Sequence, residues 1–132
     1  DEVTYNLHIL IRFELELALI NDELKVVDLP EAWHAKYREY LGIQSPTDAD
    51  GVLQDVHWSS GAFGYFPTYS LGNVMSVQIW ERLRADVDDV DEQIARGEFA
   101  PIREWLRENL HRHGRKYLPT EALERLVGGP IV

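Results

Sequence analysis

Three short groups of residues carry side chains that can bind or move charge, and the first lies near the start of the chain. His8 and Arg12 are four positions apart, a spacing that places both on one face of a helix. A buried guanidinium group must be paired or must bind an anion, because an unpaired buried charge is costly. Glu16, one turn further, can supply the partner. The spacing therefore leaves open an internal Arg12–Glu16 ion pair, with His8 hydrogen-bonded nearby, or an anion site.

The second group is the segment 51–58, with the sequence GVLQDVHW. Asp55 precedes His57 by two positions. A carboxylate beside an imidazole fixes its tautomer and raises its basicity. Closeness in sequence does not ensure contact, however, and an Asp that caps a helix beside an incidental loop histidine fits the same pattern. The residues alone leave both interpretations open.

The third group is the aromatic segment 63–69, in which Tyr65 and Tyr69 are four positions apart. Phenol hydroxyls can donate hydrogen bonds to a developing oxyanion. Taken alone, the segment favours an aromatic plug in the core. The other histidines are weaker candidates, on a surface helix or a basic helix end: His34, His111 and His113.

Helices are the elements predicted to position these groups. Apolar residues alternate over 1–20, but that length far exceeds a typical strand, and the Glu, Leu and Ala content of 13–19 favours a helix. We expect this helix to be apolar nearly all round and deeply buried. Asp28 and Thr120 are predicted helix caps. Further helices are predicted over 28–41, 67–87, 88–95, 101–114 and 120–127, with a long Gly- and aromatic-rich loop at 43–66. The predicted fold class is all-α with about six helices.

Composition narrows the function classes further. The 132 residues carry a formal net charge of -10, which argues against a general nucleic-acid binder. The chain has no cysteine, so it has no disulfide, thiolate nucleophile or Cys-ligated zinc. No apolar run is long enough for a membrane span, and no signal peptide is apparent. We expect one domain in a cytoplasmic protein.

Taken together, the three groups resemble segments of the carboxypeptidase Taq family, the thermostable zinc metallocarboxypeptidases. Residues 1–16, DEVTYNLHILIRFELE, look like the H-x-x-x-R segment of that family. Residues 51–58 reproduce its G-x-x-Q-D-x-H-W motif in full, and 63–73, FGYFPTYSLGN, are similar to the segment that follows. Residues 29–33 and 40–42 also fit the spacing. The resemblance covers essentially the whole chain.

The resemblance implies a larger enzyme with a helical zincin-type fold. In the family, an H-E-x-x-H helix and a further Glu hold zinc, and both lie upstream of the segments matched here. Residues 1–132 are therefore expected to be the C-terminal portion of a metallocarboxypeptidase catalytic domain. The intact enzyme would use zinc, with cobalt or another divalent ion as alternatives. The portion alone is expected to bind no metal and to have no peptidase activity.

The resemblance also implies a role for each group. Arg12, aided by His8, is expected to bind the terminal carboxylate of a peptide, since its planar fork pairs with a carboxylate in bidentate fashion. His57 and Tyr69 are expected to stabilise the tetrahedral oxyanion, with Tyr65 as second choice for the tyrosine. Two neighbours are expected to orient His57: Gln54 and Asp55.

Two other interpretations remain at this point. The chain can be a free-standing, non-catalytic helical domain that binds a peptide or another partner and never meets zinc. Alternatively, the aromatic loop is only core, and changes at His57 or Tyr69 lower stability rather than turnover. If the chain is a portion of a larger enzyme, apolar faces left open by the missing helices favour association, so we expect a homo-oligomer such as a dimer. The expected partners are peptides with a free C-terminal carboxylate, with no nucleic acid and no membrane.

Overall fold

The computed structural model describes residues 2–132; Asp1, which opens the first matching segment, lies outside them. The described residues form six α-helices and no strand, which confirms the predicted all-α class. The helices are α1 (Tyr5–Ile20), α2 (Leu29–Leu41), α3 (Pro67–Asp86), α4 (Val90–Ala95), α5 (Ala100–Asn109) and α6 (Pro119–Val127). Short 3₁₀ turns lie at Val26–Asp28, Val52–Gln54 and His111–His113.

The structure forms two compact units. The first unit ends at Leu71 and the second comprises Gly72–Val132, so that α3 crosses the boundary. Each unit buries apolar side chains of its own. In the second unit these are Leu83, Val90, Leu123 and Leu126.

The core of the first unit forms where α1 packs on α2. Ile11 and Leu15 lie one turn apart on α1, and Trp33 and Tyr37 lie one turn apart on α2, so each pair shares a helix face. The rings of Trp33 and Tyr37 stack with centroids 4.8 Å apart. Val52 adds a buried side chain from the long loop. The loop is therefore anchored in the same core that joins the two helices.

The predicted helix at the start of the chain is confirmed, but its deep burial is wrong. Leu10, Leu17 and Ile20 are 38%, 43% and 57% exposed. Within residues 2–132, α1 packs chiefly against α2 and the long loop, which cover only part of its circumference. No helix of the described chain is long and apolar enough to cross a membrane.

The two predicted caps do not form. Asp28 ends a 3₁₀ turn with φ -95° and ψ -4°, whereas a capping side chain needs an extended backbone, and so it makes no capping hydrogen bond. The last helix begins at Pro119 after an extended Leu118, so Thr120 lies inside it. Proline suits this first position because its fixed φ is already helical.

Two glycines should respond to the same substitution with opposite signs. Gly42 ends α2 with φ +68°, whereas the exposed Gly72 lies inside α3, and a Cβ at either position meets no atom within 4 Å. We expect Gly42→Ala to lower the free energy of unfolding by about 1 kcal/mol, because an L side chain strains the left-handed conformation. Gly72→Ala should raise it by about 0.5–1 kcal/mol, since alanine favours the helix. Urea denaturation measures both; equal signs would contradict the assignment of these two backbone conformations.

Candidate functional site

Arg12 is the charged centre of a polar stripe on α1. Its Nε donates to Oδ2 of Asp55 at 2.5 Å. Its Nη1 donates to the hydroxyl of Tyr37 at 2.9 Å and to the carbonyl of His8 at 2.8 Å. The guanidinium carbon also lies 4.9 Å from the centroid of the Trp33 ring. Only Nη2 makes no hydrogen bond with another described residue, so the bidentate fork expected from the sequence is not available in this arrangement.

The alternative ion pair between Arg12 and Glu16 is wrong. Oε2 of Glu16 accepts from the indole of Trp58 at 2.8 Å, and Oε1 accepts from the backbone N–H of Gly64 at 2.6 Å. The two charged side chains thus take different partners from the long loop. Spacing along α1 places them on one face but does not determine which partners they contact.

Asp55 joins Arg12 to His57. Its Oδ1 accepts from the backbone N–H of His57 at 3.0 Å and lies 2.5 Å from ring Nδ1. Its side chain is only 4% exposed. Burial opposes ionisation, but the hydrogen bonds from the His57 backbone, the Arg12 guanidinium and the His57 ring outweigh it and lower the pKa of Asp55. The predicted contact between Asp55 and His57 is therefore present, and the carboxylate is charged.

His57 continues the chain of hydrogen bonds to Tyr69. Ring Nε2 and the Tyr69 hydroxyl are 2.8 Å apart. Because Nδ1–H donates to the Asp55 carboxylate, Nε2 of the neutral ring is the acceptor and Tyr69 is the donor. Burial, followed by the nearby Tyr65, Tyr5 and Asp55, raises the pKa of Tyr69. The phenol therefore keeps its proton and remains a hydrogen-bond donor.

His8 joins the same hydrogen-bond network through Tyr37, whose hydroxyl also contacts Arg12. Its Nδ1 lies 3.2 Å from the hydroxyl of Tyr37, and its Nε2 lies 3.4 Å from Thr4 Oγ1. Burial and the neighbouring Arg12 charge lower the pKa of His8. The neutral ring accepts from Tyr37, which in turn accepts from Arg12. His8 thus adds no positive charge to the site.

These side chains surround one cleft of about 400 Å³ in the first unit. Its walls are Tyr5, His8, Ile9, Arg12, Asp55, His57, Phe66 and Tyr69. A guanidinium donor and a phenol donor therefore face a common space beside apolar surface. Such a cleft can orient a ligand that carries an anionic group and a polarisable oxygen.

Two predicted site residues lie apart from these contacts. The Tyr65 ring is 6.1 Å from the His57 ring and 5.2 Å from the Tyr69 ring, centroid to centroid, and its hydroxyl bonds to no other described residue. The exposed Gln54 donates its amide to the carbonyl of Ala49 at 2.5 Å. The orienting hydrogen bond expected between Gln54 and His57 is not made, because the amide is turned back onto its own loop.

Sequence reasoning missed three residues of the site, one in the hydrogen-bond network around Arg12 and two in the cleft walls. Tyr37 lies on the apolar face of α2, where helical periodicity assigns it to the core, and nothing in the pattern marks its hydroxyl. Phe66 is buried beneath the His57 ring, with centroids 4.8 Å apart. Tyr5 lies one turn before Ile9 on α1 and was treated only as part of an apolar alternation.

Residues 2–132 do not fit a metal site by themselves. No group of three or more His, Asp or Glu side chains among them could hold a metal ion. A catalytic zinc needs three protein ligands.

Comparisons with known proteins match the chain to carboxypeptidases. The family model described as "Carboxypeptidase Taq (M32) metallopeptidase" matches residues 1–131. Thermostable carboxypeptidase 1 of Thermus thermophilus is 51% identical over 97% of this chain and 25% of its own length. Carboxypeptidase 1 of Bacillus subtilis is 47% identical over 97% of this chain and 26% of its own. A solved structure of Pyrococcus furiosus carboxypeptidase superposes with a TM-score of 0.93 at 44% identity, covering 100% of this chain and 27% of that one. The chain thus spans about a quarter of the length of these relatives.

The lowered pKa of Asp55 predicts how stability depends on pH. Asp55→Asn should lower the free energy of unfolding at pH 7 by about 2–3 kcal/mol, because Arg12 and His57 lose a charged acceptor. A lowered pKa stabilises the fold above the pKa of the unfolded carboxyl, and this stabilisation is lost as the pH falls through the folded value. The difference between variant and wild type should therefore shrink below about pH 4.

Asp48→Asn is the matched control. The Asp48 side chain is 51% exposed, and its contact with His34 Nε2 is long, at 3.4 Å. It should change the unfolding free energy by less than about 0.5 kcal/mol. Urea denaturation between pH 3 and pH 7 measures both. A constant deficit for Asp55→Asn across this range would contradict the role of the charge.

Proposed function

Since the chain belongs to the carboxypeptidase Taq (M32) metallopeptidase family, we propose that it forms part of the peptide-binding cleft of a metallocarboxypeptidase. In this proposal the enzyme removes C-terminal amino acids from peptides. The observation that supports it is the continuous hydrogen-bonded series Arg12–Asp55–His57–Tyr69 along one cleft. One end of the series can hold a carboxylate and the other can donate to a carbonyl oxygen.

Arg12 is the proposed receptor for the terminal carboxylate of the peptide. Its Nη2 retains hydrogens that no described residue accepts, while Nε and Nη1 are fixed by Asp55 and Tyr37. A charge-assisted hydrogen bond from this nitrogen both binds the carboxylate and orients the peptide. His8 supports Arg12 through Tyr37 as a neutral ring rather than as a second cation.

Tyr69 is the proposed donor to the oxyanion, with His57 behind it. Because Nδ1–H of His57 donates to Asp55, the Tyr69 hydroxyl donates to Nε2 of the same ring. When Nε2 of His57 takes up a proton from solvent, it becomes the donor in this hydrogen bond, and the Tyr69 hydroxyl can donate its own proton to a developing oxyanion. Asp55 stabilises that imidazolium through Nδ1. Tyr65, which lies beside both rings without a hydrogen-bonded hydroxyl, is the second choice.

The metal is proposed to come from elsewhere in the enzyme. The family is one of metallopeptidases, and zinc, with cobalt or another divalent ion as alternatives, would activate the attacking water when bound. The described residues supply no ligand set for it. A cytoplasmic location and a homo-oligomer such as a dimer also belong to this proposal.

A non-catalytic peptide-binding domain is the second candidate function. It is favoured by the ability of Arg12 to bind a carboxylate through Nη2 without any metal. Such a domain would bind peptides with a free C terminus and leave them intact. Product analysis separates the two functions.

The choice of substrate tests the carboxylate receptor. The gene product that contains this chain should release the C-terminal amino acid from peptides with a free C terminus. We expect kcat/KM to fall about tenfold to hundredfold for the same peptides with an amidated C terminus, because Arg12 loses a charge-assisted hydrogen bond. Mass spectrometry of the products measures this. Equal cleavage of both forms would refute the receptor, and binding of free-carboxylate peptides without cleavage would establish the second function.

Tyrosine variants test the oxyanion donor. Tyr69→Phe should lower kcat about 10²–10³-fold with little change in KM, because its hydroxyl acts only when the oxyanion develops. Tyr65→Phe is the matched control, one turn before Tyr69 at the end of the loop, and should cost much less. Steady-state kinetics on one free-carboxylate peptide compares them. A larger loss for Tyr65→Phe would reverse the assignment.

A further inference from the structure

Glu16 is a buried carboxylate that the proposed chemistry does not use. Its side chain is on α1 and only 2% of the residue is exposed. No Lys, Arg or His nitrogen of residues 2–132 forms an ion pair with it; its partners are two neutral donors, the Trp58 indole and the Gly64 backbone N–H. A buried charge is costly unless its hydrogen bonds are satisfied, so these two contacts must account for its presence.

The two contacts bracket the stretch of loop between the candidate catalytic side chains. Trp58 directly follows His57, and Gly64 directly precedes Tyr65. Gly64 has φ +74°, a left-handed conformation that places its N–H toward Glu16 at low conformational cost. Each carboxylate oxygen accepts from one end of the stretch. One side chain on α1 therefore holds both ends of the turn that connects His57 to the start of α3.

We propose that Glu16 is a positioning residue that clamps the His57 loop onto α1. The clamp sets the distance between Arg12, which lies one turn earlier on α1, and the His57–Tyr69 pair carried by the loop and α3. This inference rests on the proposed function for its kinetic consequence, but the clamp itself is a property of the described residues. It gives the buried carboxylate a role in geometry rather than in charge neutralisation.

Glu16→Gln tests the clamp with almost no change in shape. A carboxylate has two acceptor oxygens, whereas the amide has one, so in either orientation its NH₂ group opposes one of the two donors. One end of the loop is released whichever way the amide turns. We expect kcat to fall about tenfold, with KM for a free-carboxylate peptide changed less than about twofold, because the contacts of Arg12 do not include Glu16.

Glu14→Gln is the matched control on the same helix. Glu14 bonds to Tyr40 at 2.7 Å and to Lys36 at 2.6 Å, away from the His57 loop. It should lose stability without losing kcat. If both variants lose kcat in proportion to their loss of stability, or if folded Glu16→Gln keeps kcat within twofold of wild type, the clamp is refuted.

Trp58→Phe removes the indole donor of the Trp58–Glu16 hydrogen bond. This variant tests the clamp if Glu16→Gln does not fold. It should lower kcat to a similar extent. The double variant should lose no more than the single variants, because without the indole donor the one glutamine oxygen can accept from the Gly64 N–H, so that only the Trp58 anchor is lost. Full additivity of the two losses would overturn the proposal.

Nuclear magnetic resonance of the same proteins separates failure of the clamp from failure of the proposed function. Glu16→Gln should shift the Trp58 indole N–H resonance and the His57 ring resonances, whereas Glu14→Gln should leave them in place. If the wild type releases no C-terminal residue, the proposed function fails, and these shifts still decide the clamp. Unchanged His57 resonances in Glu16→Gln would refute it.

Discussion

The carboxylate of Asp55 is shared between a guanidinium and an imidazole, and the rest of the cleft is arranged around that sharing. Oδ2 fixes Arg12 and Oδ1 fixes His57, so one side chain relates a group on α1 to a group on the loop. The loop must approach α1 closely for this to occur. Within the loop, Gly51 allows the chain to fold closely onto itself, because a Cβ there would lie 2.5 Å from Ser45 Oγ. Val52 then secures the loop in the core between α1 and α2.

Sharing one carboxylate also sets how strongly the cleft can hold an anion. The Arg12 charge is already balanced by Asp55, and His8 is kept neutral by burial and by Arg12. A ligand carboxylate at Nη2 therefore binds a guanidinium whose charge Asp55 already balances. Only one nitrogen of that guanidinium is free to donate, so the carboxylate cannot pair with two nitrogens at once. An unpaired guanidinium would bind more tightly but would be costly to keep buried without a ligand. The arrangement favours orientation and exchange over tight binding, as the proposed peptidase function requires.

Local patterns predicted the helices and the shared face of His8 and Arg12, since both depend on residues within one or two turns. They could not choose between Glu16 and Asp55 as the partner of Arg12. Asp55 is 43 positions away, and no periodicity reports such a contact. The same limit explains the error at Asp28, whose residue type suits a cap but whose backbone is set by the preceding 3₁₀ turn. Burial of α1 was overestimated because apolar composition alone does not show which faces of a helix other elements of the chain cover.

The polar stripe of α1 explains how a helix that supplies no oxyanion donor still governs the geometry of the site. His8, Arg12 and Glu16 follow one another at single turns, and each reaches a different element: Tyr37 on α2, Asp55 in the loop, and the Trp58–Gly64 stretch that leads to α3. The three hydrogen bonds that Arg12 and Glu16 make with the loop fix it in both position and rotation, which a single contact cannot do. The loop can therefore be long and irregular and still hold His57 and Tyr69 at hydrogen-bonding distance, because its precision derives from α1.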